Sequence, residues 1–412
     1  MPAPALSQPE AASELFGNVA LARRQNTVDL LYITDRAIEP TTDTSRVHGY
    51  GQQRSGSLAF GSARVAMQPP MSWQELRDES LMNPRARRIL LSVSDVTELG
   101  RFPEEPYRTR RSKDRVIRDP DILARHRHAN AALQAQVERR LAAAPSGKIM
   151  LYVHGFNETF DSAAYTAAEL CHFLGRIHVC AFFTWPASST GNPLLSYAST
   201  TESAEYSVGH LKRTIRTLAR TPGVEGVQLL AHSRGAALLL NAVRELSIEA
   251  IANGRDPAEA LKLEQLVLMS PDIDEQVAAQ RLEIFASDPD LMTNWHDAVL
   301  PRFLRGRFTI YASPEDKALK LSSFLFRSIG CVGQLQPGAI SATMEDDLSQ
   351  SGIVDIIVYE GQRTDPFGHS YFLSNPKVSA DLIELVRNGT LPGNSRRPLL
   401  RRGKVVWLFP PG

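Results

Sequence analysis

From residue 148 onward the apolar positions fall into short continuous runs separated by longer amphipathic stretches. Runs over 149–153, 179–184, 227–231, 266–269, 308–312 and 353–359 are rich in Val, Ile, Leu, Phe and Tyr. They are too short for helices and read as buried strands. The intervals carry helical patterns over 160–174, 202–220 and 234–246, from 273 onward, and over 317–326 and 378–386. Strands alternating with helices predict an α/β fold with a largely parallel central sheet, helices on both faces and right-handed crossovers.

Upstream of 148 the pattern is less regular. Residues 28–34, 58–67 and 89–93 read as strands, with Gly61 marking a bulge in the second. A turn-rich polar loop fills 35–56. Leu123, Ala132, Leu133, Val137 and Leu141 place an apolar stripe on a helix over 121–143. The expected organisation is a loosely ordered tail (1–26), an N-terminal extension of strands and charged helical sequence packed on the main domain (27–147), an α/β core (148–388) and a basic tail (389–412). That tail carries Arg396, Arg397, Arg401, Arg402 and Lys404, and reads as a solvated arm followed by a short edge strand over 405–409. Two stretches break the alternation: 186–201, read as a loop, and 287–307, which includes Met292, Trp295, Leu300, Pro301, Phe303 and Leu304. Both are long enough to cover a site.

Composition narrows the classes. The 412 residues are 43% hydrophobic and 22% charged, which suits a globular protein with a full core. A formal net charge of +1 provides no global field for nucleic acid. The basic cluster over 108–115 lies beside Glu104, Glu105 and Asp114 without aromatic stacking residues, and reads as solvated surface. Three cysteines give neither a disulfide framework nor a zinc spacing, so Cys171 and Cys180 read as small buried apolar groups. His172, His178, His210 and His296 show no ligand pattern, and neither a metal nor another cofactor is expected. No apolar run is long enough to span a membrane and no signal-peptide core is visible; read literally, the chain is cytoplasmic, although a truncated start would look the same. Oligomeric state is not encoded in any of these patterns.

Ligands of open parallel sheets bind beyond the carboxyl ends of the strands. The run ending Leu230-Ala231-His232 leads through Ser233 into Arg234-Gly235-Ala236, an apolar helix. Strand, sharp turn and helix with small residues at 231 and 235 read as a nucleophile elbow, with alanine at the first glycine position. A serine there could instead cap the helix that begins at Arg234. Other strand ends carry His154-Gly155-Phe156-Asn157, Ser270-Pro271-Asp272-Ile273-Asp274 and Ser313-Pro314-Glu315-Asp316; a loop after the last strand ends in Gly368-His369-Ser370. Serine, acid and histidine thus follow the chain order this architecture uses. A serine hydroxyl attacks well only when a base takes its proton, and a carboxylate behind the imidazole fixes the ring's tautomer. These roles fall to Ser233, His369 and Asp316. The backbone N–H groups of Phe156 and Arg234 are the expected oxyanion donors, with Gly155 allowing close approach. Asp272 and Asp274 compete for the acid role, their alternative being to cap the helix from 273. His154 reads as a structural hydrogen-bonding residue, and His232 as pointing across the turn from the serine. Asn157 and Trp185 shape the pocket wall, with core packing an equal alternative for Trp185.

Taken together, Leu151–Asn157, Thr184-Trp185-Pro186, Ala231–Gly235, Ser270–Asp274, Tyr311–Leu319 and Gly368–Phe372 resemble an α/β-hydrolase, and more narrowly a bacterial esterase/lipase-like branch of poorly characterised members. The similarity is strong over 148–388. Tyr32-Ile33-Thr34-Asp35-Arg36 and Arg54-Ser55-Gly56 also resemble that branch. The resemblance implies the fold and the triad but supplies no substrate. The leading expectation is a serine hydrolase acting on a small acyl ester, with 287–307 walling an apolar acyl pocket. An acyltransferase with the same covalent intermediate and a non-catalytic binding protein on this fold are the alternatives.

Overall fold

The protein is described from a computed structural model over residues 1–6, 14–40, 46–187, 193–287, 302–326 and 330–411. The N-terminal part contains β1 (Thr27–Ile38), β2 (Tyr50–Gln68), α1 (Trp73–Leu81), β3 (Leu90–Arg101), β4 (Thr109–Ser112), β5 (Arg115–Arg118) and α2 (Pro120–Ala142). Then come β6 (Lys148–Val153), α3 (Phe160–Phe173), β7 (Val179–Thr184), α4 (Pro193–Arg220), β8 (Gly226–His232) and α5 (Arg234–Ala252). The chain continues through α6 (Pro257–Leu261), β9 (Leu263–Met269), α7 (Glu275–Ser287), β10 (Arg307–Ala312), α8 (Lys317–Phe326), α9 (Ala342–Gln350) and β11 (Val354–Val358). It closes with α10 (Tyr371–Ser374), α11 (Pro376–Asn388), β12 (Leu400–Arg401) and β13 (Val406–Leu408).

Among the described residues eleven strands form one sheet in the order β12-β13-β11-β10-β9-β8-β6-β7-β1-β2-β3. The stretch from β13 to β1 is parallel throughout, and only the two margins are antiparallel. Strands buried on both faces tolerate apolar residues at every position, hence the continuous runs in the sequence. Alternate residues feed two separate cores. Ile149, Leu151 and Val153 pack with Leu133 and Val137 of α2, Leu211 and Ile215 of α4, and the apolar face of α5. Met150 and Tyr152 pack with Phe160 and Ala167 of α3 and with Leu382 and Leu385 of α11. β4 and β5 form an exposed hairpin carrying part of the basic cluster. Among the described residues no helix is long and apolar enough to cross a membrane.

β1, β2 and β3 are longer than their apolar runs and belong to the same sheet as the strands of the core. A register shift between Phe60 and Gly61 marks the expected bulge. Other expectations are corrected. Cys171 and Cys180 are not separate buried thiols: the last turn of α3 faces the start of β7, their Cα atoms are 5.9 Å apart, and they form a disulfide. Residues 193–201, read as loop, form the first part of α4. Its inward face carries Ser196, Thr200, Ser203 and Ser207, spaced as a helix requires but written in hydroxyl residues instead of apolar ones. The basic tail is not wholly solvated. Arg397 is fully buried, and its fork grips both carboxylate oxygens of Asp381 at 2.8 and 2.9 Å. Met292, Trp295, His296, Leu300 and Pro301 lie outside the described residues. Phe303 and Leu304 are buried near Phe308 at the start of β10, on the sheet edge opposite Ser233, so these two do not wall a pocket there.

Candidate functional site

The sheet's strand order reverses between β6 and β8: from β6 the chain adds β7 on one side, then β8 on the other. The loops leaving β6 and β8 therefore diverge at their carboxyl ends, where ligands of open parallel sheets bind. Val153 pairs with Ala231, which sets His154-Gly155 beside His232-Ser233.

Ser233 occupies φ 54°, ψ −127°, a costly conformation for a residue with a Cβ. It is held by its N–H to the Met269 carbonyl at 3.0 Å, and by its own carbonyl, which accepts from Ala236 N at 3.0 Å and Asp272 N at 3.2 Å. The serine precedes α5 without a side-chain capping bond, unlike an ordinary helix cap. Gly235 is required by proximity, since a Cβ there would stand 2.1 Å from the His154 carbonyl oxygen. The Arg234 N–H is the first of α5 and has no acceptor within the helix.

His369 and Asp316 meet although 53 positions separate them: Nδ1 of the ring donates to Asp316 Oδ2 at 2.7 Å. Asp316 is fully buried in the turn between β10 and α8, and its Oδ1 accepts the Leu319 N–H at 3.1 Å. The His369 loop is shaped by Asp365. Its carboxylate accepts the N–H groups of Phe367, His369 and Ser370, each at 3.1 Å, and Gly368 turns the chain at φ 67°. The His369 carbonyl accepts from His232 Nε2 at 3.1 Å and Ser270 Oγ at 3.2 Å. His232 thus lies under the His369 loop, its ring 4.6 Å from that of His369. Burial first, then the neighbouring His369, push its pKa far below the usual histidine value.

Asp272 and Asp274 are placed otherwise. Asp272 is buried, accepting from Ser322 Oγ at 2.9 Å and from the Tyr197 hydroxyl. Asp274 caps α7 through the N–H groups of Gln276 and Val277, at 2.9 and 3.1 Å. Neither is joined to His369 by a described hydrogen bond.

The loop after β6 is tightly fixed. His154 is fully buried; its Nε2 accepts the Trp185 N–H at 3.0 Å, and Nδ1 donates to the Gly155 carbonyl at 2.9 Å. Burial, followed by the charge of Arg36, depresses its pKa far below the ordinary value, so the ring is neutral. Trp185 is fully buried, stacks on the His154 ring at 5.4 Å and donates Nε1–H to the His154 carbonyl at 2.9 Å. Its place is the core, supporting the loop from behind. Asn157 is exposed at φ 57°, at the loop's bend. The half-buried Phe156 side chain lies 5.7 Å from the Tyr197 ring. The carboxyl of Glu158 is raised above its usual range by burial, against the opposing effects of Ser162, Arg36 and His369.

Sequence reasoning missed three contributors. Tyr197 lay in the stretch read as loop. Asp365 had a local signal, since Asp-Pro-x-Gly is turn chemistry. Arg36 stood in a stretch that resembles the family but gave no sign of its burial or role, because a charged residue at a strand end reads as solvent-facing.

Residues 129–387, more than half of the chain, match the family described as "Alpha/beta hydrolase of unknown function (DUF900)". The chain belongs to that family of α/β-hydrolases. No curated protein matches it in sequence. Among solved structures it is similar to a predicted CIB-like hydrolase from Thermoplasma acidophilum, at 13% identity and TM-score 0.32 over 58% of this chain and 86% of that one. It is similar too to carboxyl esterase 2 from Tuber melanosporum, at 14% identity and TM-score 0.27 over 58% and 77%. An esterase from Pyrobaculum calidifontis gives 12%, 0.31, 59% and 77%. Likenesses this distant carry no argument about substrate or mechanism.

Proposed function

We propose that the chain is a serine hydrolase that cleaves carboxylic esters through an acyl-enzyme intermediate. The observation that carries this reading is the 2.7 Å bond from His369 Nδ1 to buried Asp316, on the sheet edge where Ser233 is held in a strained turn. With Nδ1–H donated to Asp316, Nε2 of His369 keeps the lone pair that a general base needs. Ser233 Oγ attacks the ester carbonyl as its proton passes to Nε2. The carbonyl oxygen gains negative charge, which the N–H groups of Phe156 and Arg234 receive. Collapse expels the alcohol, protonated by His369, and leaves an acyl-Ser233 ester. Water then repeats the sequence, its proton going to His369, and frees the acid.

The test is Ser233→Ala. Wild-type protein should hydrolyse p-nitrophenyl acetate and label covalently with a fluorophosphonate. The variant should lose about three orders of magnitude or more in turnover, lose labelling, and keep its circular dichroism. Wild-type turnover and labelling by a folded Ser233→Ala protein would show that another residue is the nucleophile.

A further inference from the structure

Arg36, at the carboxyl end of β1, is fully buried, yet it makes no ion pair within 4.0 Å among the described residues. Burial lowers its pKa to about 10, with Asp35 and Glu158 acting in the opposite direction, so the side chain is still a cation at neutral pH. A buried cation needs its donors satisfied. Two nitrogens anchor it to the sheet: Nε donates to Thr184 Oγ1 at 2.7 Å, and Nη1 to the Gly51 carbonyl at 2.9 Å and Gln52 Oε1 at 2.8 Å. The third, Nη2, reaches the loop after β6 at both ends. It donates to the Glu158 carbonyl at 2.7 Å and lies 3.3 Å from His154 Nε2.

The contact with His154 has a directional consequence. Donors converge on Nε2 from Arg36, from Trp185 N at 3.0 Å and from the Thr184 hydroxyl at 3.1 Å. They oblige the neutral ring to carry its proton on Nδ1, the atom that holds the Gly155 carbonyl. That carbonyl belongs to the same planar trans peptide as the Phe156 N–H, and the two point in opposite directions. Fixing one therefore aims the other.

We propose that Arg36 is the positioning residue of the oxyanion loop: it pins both ends of residues 154–158 to β2 and β7, and through His154 it aims the Phe156 N–H. This rests on the serine-hydrolase reading given above. Lysine cannot replace it, because a single ammonium lacks the planar fork that serves the sheet and both loop ends together.

The test compares wild type with Arg36→Lys and Thr184→Val, the second removing the hydroxyl shared by Arg36 and His154. Folded fraction is measured by circular dichroism, kinetics with p-nitrophenyl acetate, and oxyanion affinity with phenylboronic acid, whose tetrahedral serine adduct places an oxygen in the same hole. Arg36→Lys should lower kcat by about 10- to 100-fold with KM within about threefold, and weaken phenylboronic acid by a factor matching the loss in kcat/KM. Thr184→Val should shift the same quantities in the same direction by less, and it decides the matter if Arg36→Lys does not fold. A purely structural role would lower melting temperature while leaving kcat per folded molecule and boronate affinity unchanged; that result in a folded variant overturns the proposal. Wild-type protein with neither esterase turnover nor fluorophosphonate labelling would overturn the hydrolase reading and the Arg36 proposal with it.

Discussion

Gly155 and Ser233 approach so closely that a Cβ on the glycine would stand 2.7 Å from the Cβ of the serine. The same atom would lie 3.1 Å from the His232 carbonyl oxygen, so it has backbone on one side and the strained turn on the other. Gly155→Ala must therefore displace the loop that carries the Phe156 N–H. Turnover of p-nitrophenyl acetate should fall by about 10-fold or more, chiefly in kcat. Unchanged kcat in a folded Gly155→Ala protein would mean that this loop takes no part in the chemistry.

Asp316 and Asp272 end neighbouring strands but meet different partners, and their asparagine variants should separate accordingly. Asp316→Asn removes the carboxylate that fixes the His369 tautomer, and turnover should drop by about three to four orders of magnitude. Asp272→Asn should leave turnover within about 10-fold and lower stability by about 1–3 kcal/mol, because Tyr197 and Ser322 lose a charged acceptor. Steady-state kinetics and urea unfolding distinguish the two. The reverse pattern would move the acid role to the earlier strand.

Acid should destabilise the fold in part through a residue far from Ser233. His178, just before β7, is buried, and its pKa is lowered to about 3, mainly by burial and secondarily by Lys148, Arg387 and Arg23. The unfolded value is about 6.5. A depressed folded pKa gives stability that is complete above the unfolded value and is lost as pH falls from there toward the folded one. At pH 5 the loss from this group is about 2 kcal/mol. Melting temperatures between pH 7.5 and 5 should fall more steeply for wild type than for His178→Gln; parallel curves would show that the ring does not drive the acid response.

The Cys171–Cys180 bridge closes a short loop between α3 and β7. Chain-entropy arguments for a loop of about ten residues give about 2–3 kcal/mol of stabilisation. Urea midpoints should fall when a phosphine reductant is added, and Cys171→Ser should show no such response. Alkylation of the denatured, unreduced protein should modify Cys331 alone, since the other two thiols are oxidised. Modification of all three cysteines would disprove the bridge.

The parallel core was readable because burial on both faces leaves uninterrupted apolar runs such as Val227–Ala231. The meeting of His369 with Asp316 was readable because strand order dictates which loops share an edge. What escaped were elements whose burial depends on polar partners distant in sequence. Arg36 is buried by virtue of acceptors near 51, 158 and 184, none of which its neighbours in the chain announce. Ser196, Thr200, Ser203 and Ser207 form a helix face, yet their composition favours a turn. Arg397 reads as a solvent charge until Asp381 is found beside it. The cysteines gave no sign of pairing because nothing local shows that α3 returns over the start of β7.

The place of β1 in the sheet also sets an order of events during synthesis. One side of β1 pairs with β2, which follows it closely; the other pairs with β7, Leu31 with Ala181 through Thr34 with Thr184. A chain made from its N-terminus can build the β1–β2–β3 meander long before β7 exists. For that interval β1 presents an unpaired edge whose Leu30, Leu31, Tyr32 and Ile33 are destined for full burial. Such an edge accepts a strand from any neighbouring nascent chain as readily as its own. Only when β7 arrives, drawn in by its pairing with β6, is that competition closed. The strand that brings Thr184 to Arg36 thus also closes this edge of β1 to intermolecular pairing.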